Sequence, residues 1–381
     1  MLPAHKPWLV LQGSPGEFYV DHVHPFGAAC ASSNAGMIAN ALVDIWRAEG
    51  VSPLLKYEDD LNAFRYPVKD GSFIDGQYRY AYDRDDILRR VAPLNVPWHP
   101  EKGDPFFSSM TTFIGLSWDL ALRHVSLPEP KRLKFLARVE TFINSYSGHR
   151  CQLRDVERLH GSLCYIAFVY VDGRSRLPSL SNFAASFKGD EFTFRYPPPS
   201  VLTDLRWWHE ALIPTGTHRQ LTVRGPVVDM GISVDASTSW GIGIIVKERW
   251  LGLKLAPSWK VEGRDICWLE TIAVELVVYI LETMGVRNSR ILIHSDNQGT
   301  IGSMHKGRSP NYHINLSIRR TYNVLSSLFI TPELEYIASA LNPADPISRG
   351  ETGPLNKRLH TSFKLPEELH HVFIDADWLL I

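Results

Sequence analysis

The chain has 381 residues, of which 44% are hydrophobic, enough for two or three domains with packed cores. Its 40 Lys and Arg nearly balance 41 Asp and Glu, so any surface that binds a polyanion must be a local patch. The four cysteines are widely spaced, which excludes a zinc ribbon. The start of the chain lacks the pattern of a secretory signal, and no apolar run reaches the roughly 18 residues of a membrane span. We therefore expect a cytosolic or nuclear protein.

The first predicted elements are a helix from about Asn34 to near Gly50 and a hairpin in "PLLKYEDDLNAF". Two adjacent carboxylates, Asp59 and Asp60, lie at the tip of this hairpin. They fit a tight turn, because short acidic side chains satisfy local backbone groups. They also fit a pair of metal ligands, and the hairpin alone does not decide between the two.

The next segment, residues 123–196, is helical in pattern and locally basic. Between residues 123 and 176 it holds ten Lys and Arg and five Asp and Glu, a surplus of 10 − 5 = +5. Lys131, Arg132 and Lys134 are candidate contacts to a phosphate backbone. Solvated helix faces explain the same charges equally well.

Three consecutive prolines, Pro197 to Pro199, mark the clearest break in the chain. Proline disfavours a helix interior and favours extended backbone. We therefore predict a linker over residues 197–228.

After this break the pattern predicts three strands, a helix, a strand, a second helix and a last strand within residues 229–350. The segments are "DMGISVDAS", "WGIGIIVKE", "RWLGLKLAP", "CWLETIAVELVVYILETMG", "SRILIHSDN", "YHINLSIRRTYNVLSSLFI" and "ELEYIAS". This order indicates an α/β fold, a mixed five-stranded sheet flanked by helices, with a site at the carboxyl ends of the strands. Residues 351–381 are expected to form a C-terminal tail of unassigned role.

Acidic residues follow several of these strands. Asp235 ends the first strand, Asp296 ends the fourth, and Asp345 comes just after the last. Because strands of such a sheet deliver their ends to one edge, we expect these carboxylates to lie together.

A fourth acid, Glu270, lies on the apolar stripe of the helix predicted in "CWLETIAVELVVYILETMG" and is expected to face the sheet. Glu275 and Glu282 lie about 120° to 140° away around the same helix and are expected to be solvated. A buried carboxylate is costly unless it is paired or binds a metal. Four converging carboxylates predict a site for two Mg²⁺ or Mn²⁺ ions, which suits hydrolysis of a phosphodiester.

The motifs around these acids resemble the ribonuclease H domain of reverse-transcribing elements. They are "VDAST" followed by "WGIG", "ETIA", "HSDN" and "NPADPISRG". The resemblance implies that Asp235, Glu270, Asp296 and Asp345 form the catalytic and metal-binding tetrad of a nuclease that cuts the RNA strand of an RNA–DNA hybrid. "GRSPN" and "NPADPISRG" are most similar to retrotransposons of the DIRS and related tyrosine-recombinase type.

In such elements a reverse transcriptase precedes ribonuclease H, and the first half of the chain resembles its C-terminal part. "FYVDHVHPFGAACASSNAGMI" resembles a polymerase segment that closes on template and nucleotide, "YEDD" the catalytic palm hairpin and "FIGLSW" the strand after it. The resemblance implies a partial palm over residues 1–122, with a relict polymerase site at Tyr57, Asp59 and Asp60, and a thumb-like or connection-like segment over residues 123–196.

The polymerase pattern is incomplete, because the region that should carry a third aspartate and the fingers is missing before residue 18. We therefore expect no DNA polymerisation by this chain. Two alternatives remain open, a nucleic-acid-binding relic without catalysis and a full polymerase whose N-terminal part is missing from the gene model. The resemblance implies a nucleic-acid partner, together with other proteins of the element. Further candidate contacts to the hybrid are Lys306, Arg308, Arg319 and Arg320.

Overall fold

The computed structural model describes residues 10–12, 14–20, 31–58, 60–69, 73–74, 77–96, 98, 103–221 and 225–374. The chain divides into two compact units, Met1–Arg123 and His124–Ile381. In the part of the chain that the structure describes, none of the helices has the length and apolar character needed to cross a membrane.

In its described residues, the first unit consists of short antiparallel hairpins and two α-helices. Its elements are β1 (Val10–Gln12), β2 (Phe18–Val20), α1 (Ala31–Ala48), β3 (Leu54–Tyr57), β4 (Asp60–Ala63), β5 (Phe73–Ile74), β6 (Gln77–Tyr78), α2 (Arg84–Val91), β7 (Met110–Phe113) and β8 (Leu116–Asp119). The hairpin β3–β4 and helix α1 confirm two predictions. Asp59, at the hairpin tip, and residues 21–30, which fall within the first polymerase-like motif, lie outside the described residues.

The second unit begins with a helical part. Its elements are β9 (His124–Ser126), α3 (Glu129–Tyr146), β10 (Cys151–Gln152), α4 (Leu153–Ile166), α5 (Leu177–Ser186), β11 (Phe194–Arg195), α6 (Pro199–Leu212) and β12 (His218–Gln220). The four helices pack on one another through fully buried apolar side chains such as Val139, Leu163, Leu180 and Leu205. The predicted helical character of this segment is therefore confirmed.

Helix α6 corrects the prediction of an extended linker over residues 197–228. It begins at Pro199, because proline fits the first helical turn, where its missing N–H would have no partner in any case. Val201, Leu205 and Trp208 are completely buried, so this helix belongs to the core of the unit. The run of prolines marks the start of a helix and was misread as a break.

The second part of this unit contains one sheet and its helices. The elements are β13 (Val227–Val228), β14 (Ser233–Ala236), β15 (Gly241–Val246), β16 (Arg249–Lys254), α7 (Ile266–Thr283), β17 (Arg290–Ser295), α8 (Gln298–Lys306), α9 (Tyr312–Leu328), β18 (Thr331–Tyr336) and α10 (Asp345–Ser348). Strands β14, β15 and β16 are antiparallel, whereas β14, β17 and β18 are parallel. The order is therefore β16–β15–β14–β17–β18, and the short β13 pairs with the start of β17. This confirms the predicted mixed α/β sheet, five strands wide.

Local residues explain the turns of this sheet. Lys247 and Glu248 both have positive φ, as a two-residue turn between β15 and β16 requires. The side chain of Asp265 accepts the N–H of Trp268 at 2.9 Å and begins α7, and Gly285 with φ +71° ends it. Helix α7 packs against β14 and β15 on one side and against α9 on the other, so most of its residues are buried.

The C-terminal residues as far as Ile374 are part of this core, which corrects their description as a tail. Leu359 donates its N–H to the carbonyl of Trp250, and Ile374 donates its N–H to that of Lys254. The segment buries six apolar side chains, those of Leu359, Phe363, Leu365, Leu369, Val372 and Phe373. It thereby covers the edge strand β16, an edge that would otherwise offer unpaired backbone groups to other chains.

Candidate metal centre

Three of the predicted acids meet at one edge of the sheet. Asp235, Glu270 and Asp296 each offer a carboxylate oxygen, and these three oxygens lie within 4.8 Å of one another. Asp235 and Glu270 are 3% and 2% exposed, and Asp296 is half-buried. Such a set of oxygen ligands could hold a divalent cation.

Register and helix position bring these side chains together. Ser233 pairs with His294 across the parallel strands β14 and β17. Asp235 and Asp296 each follow two residues later, so they stand side by side where the two strands end. Glu270 lies in the second turn of α7, and the backbone N–H of Ala236, at the end of β14, donates to its Oε1 at 3.0 Å.

The second oxygen of Glu270 gives the cluster its most informative feature. Oε2 is buried and has no hydrogen-bond partner among the described residues. A buried carboxylate oxygen without a partner is costly. A cation between the three acids would supply the missing partner, and the donor set of carboxylates is the type that Mg²⁺ and Mn²⁺ prefer.

The electrostatics of the cluster agree with this interpretation. Burial, together with the charges of Asp235 and Asp296, raises the pKa of Glu270 to about 9. Burial also raises the pKa of Asp235 to about 6, with further contributions from the charges of Asp296 and Asp345. Without a cation the cluster therefore retains protons that these acids would otherwise release.

Asp345, the fourth predicted acid, lies beside this cluster but is not among its three close members. Its carboxylate accepts two hydrogen bonds from Arg349, at 3.0 and 2.8 Å, and this pairing lowers its pKa. Its neighbour Ser348 donates a hydrogen bond to the carboxylate of Asp235. The metal-ligand role of Asp345 stays a prediction, whereas its charge already acts on Asp235.

Sequence reasoning missed the residues that hold the segment around Asp345 against the sheet. The buried side chain of Asn342 donates to the carbonyl of Val234 at 2.9 Å and accepts the N–H of Ala344 at 3.1 Å. On the neighbouring strand, Gly243 pairs with Asp235 and leaves room for helix α10. The second glycine of "WGIG" was a usable signal, because glycine within a strand often marks a close approach.

Gly243→Ala should destabilise the chain by about 1–3 kcal/mol, the usual cost of overpacking a core. A Cβ at this position would lie 2.4 Å from the carbonyl oxygen of Ala344 and 2.6 Å from the N atom of Ser348, and neither backbone atom can move freely. Chemical denaturation measures the loss. Gly161→Ala is the matched control, since nothing lies within 4 Å of its added Cβ in helix α4, and it should be neutral or stabilising by up to about 1 kcal/mol. Equal stability of the two variants would contradict the prediction.

Three of the residues predicted to contact phosphates are bound instead to other groups of the same unit, which corrects those predictions. Arg132 is buried and binds Glu129 and the carbonyl of Leu212. Arg319 pairs with Asp204 at 3.0 Å and also donates to the carbonyl of Ser175. These guanidinium groups hold the unit together, and such contacts between distant residues leave no trace in local sequence.

Arg320 is the third correction, and it involves Glu275, which was expected to be solvated. Glu275 is completely buried because α9 covers the side of α7 that faces away from the sheet. Its two oxygens accept hydrogen bonds from Arg320 at 2.6 and 2.9 Å, from Tyr279 at 2.6 Å and from Ser317 at 2.5 Å. Glu282 is exposed, as predicted.

The remaining basic candidates differ in their surroundings. Lys131 is half-buried, with its ammonium group 5.2 Å from the ring centroid of Tyr165. Lys134, Lys306 and Arg308 are exposed. These three side chains are available to a phosphate backbone, and their role stays a prediction.

The described residues of the predicted relict polymerase site are exposed. Tyr57 is 61% exposed, and Asp60 is exposed at the start of β4. Within the described part of the chain, Asp60 belongs to no group of three potential metal ligands. The assignment of this hairpin to a polymerase stays a prediction.

Comparisons with known proteins give little further information. No family model matches the chain, and no curated protein is significantly similar in sequence. Among solved structures, a foamy viral protease–reverse transcriptase dRH in complex with double-stranded DNA aligns with 12% identity and a TM-score of 0.38, over 88% of this chain and 54% of that one. The chain thus spans about half the length of that structure, and a similarity this low leaves the function to be argued from the site.

Proposed function

We propose that the chain is a divalent-metal-dependent ribonuclease H that hydrolyses the RNA strand of RNA–DNA hybrids. The observation that carries this proposal is the cluster of Asp235, Glu270 and Asp296, with its unpartnered buried oxygen, at the carboxyl edge of the sheet. The order of its strands and the motifs "VDAST", "ETIA", "HSDN" and "NPADPISRG" support the same activity.

The four acids share one part in this proposal, as metal ligands. Asp235, Glu270 and Asp296 would hold two Mg²⁺ or Mn²⁺ ions, with Asp345 as the fourth ligand. When bound, such ions activate the attacking water and stabilise the leaving oxygen of a phosphodiester. Ser348 and the backbone of Ala236 orient the carboxylates of Asp235 and Glu270 before the substrate arrives.

The remaining assignments follow from this one. We propose that residues 1–122 are a partial polymerase palm and residues 123–196 a thumb-like segment of a retroelement reverse transcriptase, of the DIRS or a related type. Exposed Lys134, Lys306 and Arg308 would contact the phosphates of the hybrid.

The direct test uses a hybrid in which either the RNA strand or the DNA strand carries a label. With Mg²⁺ or Mn²⁺ the purified chain should cut only the labelled RNA strand, and excess chelator should stop the reaction. Asp296→Asn keeps the size of the side chain and removes its charge, so this variant should be inactive.

Two outcomes would contradict the proposal. Equal cutting by the wild type and Asp296→Asn would point to a contaminating nuclease, and absence of cutting by both would exclude the activity. Salt-sensitive binding of the hybrid without cutting would favour the alternative, a nucleic-acid-binding protein without catalysis.

A further inference from the structure

The helical part of the second unit exposes an aromatic surface. The rings of Phe194 and Tyr196 are 54% and 57% exposed, and Phe192, in the turn before them, is 88% exposed. Single exposed rings are ordinary, but neighbouring rings on one short segment indicate a binding surface.

This segment is held in place before any ligand binds. Its strand β11 pairs with β10, so that Arg195 stands opposite Cys151. The side chain of Asp190 accepts the N–H of Phe192 at 2.9 Å and the hydroxyl of Thr193 at 2.5 Å. Helix α6 then fixes its far end. A segment ordered in advance loses little entropy when it binds.

Arginines accompany the rings. The guanidinium group of Arg150 lies over the ring of Tyr196 at 5.1 Å, and that of Arg195 lies 5.8 Å from the ring centroid of Phe187. A broad cavity of about 430 Å³ opens between these side chains, and its lining, as far as the structure describes it, contains two arginines and no carboxylate. The residues around it are Arg150, Phe183, Ser186, Phe194, Arg195, Tyr196 and Pro198.

We propose that this surface, Arg150 with Phe194, Arg195 and Tyr196, binds single-stranded nucleic acid. Unpaired bases offer flat faces that stack on aromatic rings and on guanidinium planes, and the phosphates between them pair with arginine. A duplex keeps its bases inside the helix and cannot stack on these rings. An acidic or apolar peptide would use only half of this chemistry.

This site is separate from the acidic cluster, and its test does not depend on cleavage. Fluorescence anisotropy with labelled 12-nucleotide oligo(dT) and oligo(U), in chelator, measures binding by the full chain. Wild type should bind at least one of them, and the two arms show whether the surface prefers DNA or RNA. Because the assay contains chelator and measures binding alone, its result does not depend on the result of the cleavage assay.

The double variant Phe194→Ala, Tyr196→Ala should weaken binding roughly tenfold or more, the order expected when stacked rings are removed. Arg150→Gln should weaken binding and make it less dependent on salt. Phe329→Ala and Arg287→Gln are the controls, because both side chains are exposed elsewhere in the same unit, and they should bind as the wild type does.

Folding of the variants is checked by circular dichroism and thermal melting. If the double alanine variant melts early, Phe194→Leu, Tyr196→Leu retains apolar bulk without aromatic faces and should show the same loss of binding. Failure of the wild type to bind either oligonucleotide overturns the proposal. Unchanged binding by the double variants, or an equal loss in the two controls, does so as well.

Discussion

Glu270→Gln should lower cleavage of the hybrid by at least about a thousandfold, because a lost metal ligand removes several kcal/mol of transition-state stabilisation. The same substitution should stabilise the metal-free chain. A glutamine oxygen can still accept the N–H of Ala236, and an amide is neutral beside Asp235 and Asp296 without having to take up the proton that folding forces on Glu270. Opposite effects on activity and stability are typical of a residue retained for chemistry.

The pH dependence of stability isolates this residue. The pKa of Glu270 is about 9 in the folded chain, against an ordinary value of 4.5. The unfolded chain therefore releases this proton first, and stability falls as pH rises between these two values. The pKa of Asp235 is about 6 in the folded chain, so the loss of stability caused by its titration is largely complete by about pH 6. From pH 6 to pH 8.5 Glu270 should cost the metal-free chain about 3 kcal/mol.

Denaturation in chelator at pH 6 and pH 8.5 measures this difference in the wild type and in Glu270→Gln. The wild type should lose the expected stability and the variant should not. Glu282→Gln, an exposed residue on the same helix, is the control and should behave as the wild type does. A variant with the same pH slope as the wild type would show that Glu270 is not the buried acid described here.

Arg320→Met should destabilise the chain by about 3–5 kcal/mol, the usual cost of leaving a buried charge unpaired. Arg320 provides two of the four hydrogen bonds to Glu275, which is completely buried between α7 and α9. Denaturation by guanidinium chloride, followed by tryptophan fluorescence, measures the loss.

Two further variants give this prediction its controls. Adding Glu275→Leu to Arg320→Met removes both charges and should recover much of the lost stability. Lys357→Met breaks the exposed pair with Glu248, whose atoms are 3.6 Å apart, and should cost less than about 1 kcal/mol. If the arginine and lysine variants lose similar stability, the buried pair stabilises the chain no more than the exposed pair does, which contradicts this prediction.

Much of the sheet and its acidic edge could be predicted because their causes are local. Strand and helix periods identified β14 to β18, and the helical stripe placed Glu270 on the face toward the sheet. Two acids that follow parallel strands meet at one edge whatever the rest of the chain does. These arguments need only spacing along the sequence.

The wrong predictions concern residues whose surroundings depend on another helix or strand that packs against their own. Glu275 is buried because α9 covers the outer side of α7, and no period within α7 reveals a neighbour more than thirty residues away. Arg319 and Arg320 were predicted to contact phosphates, but each forms an ion pair with an acid of the same unit, Asp204 and Glu275 respectively. The run of prolines likewise precedes a core helix rather than a linker, because α6, which begins at Pro199, packs against α3 and α5.

The central claim is that Asp235, Glu270 and Asp296 hold divalent cations together. The most direct measurement is anomalous X-ray scattering from crystals of the chain grown with Mn²⁺. We predict anomalous peaks between these three carboxylates, and no such peaks in crystals of Asp235→Asn, Asp296→Asn grown in the same way. A well-ordered cluster without a peak at saturating Mn²⁺, or peaks that persist in the double variant, would contradict the claim.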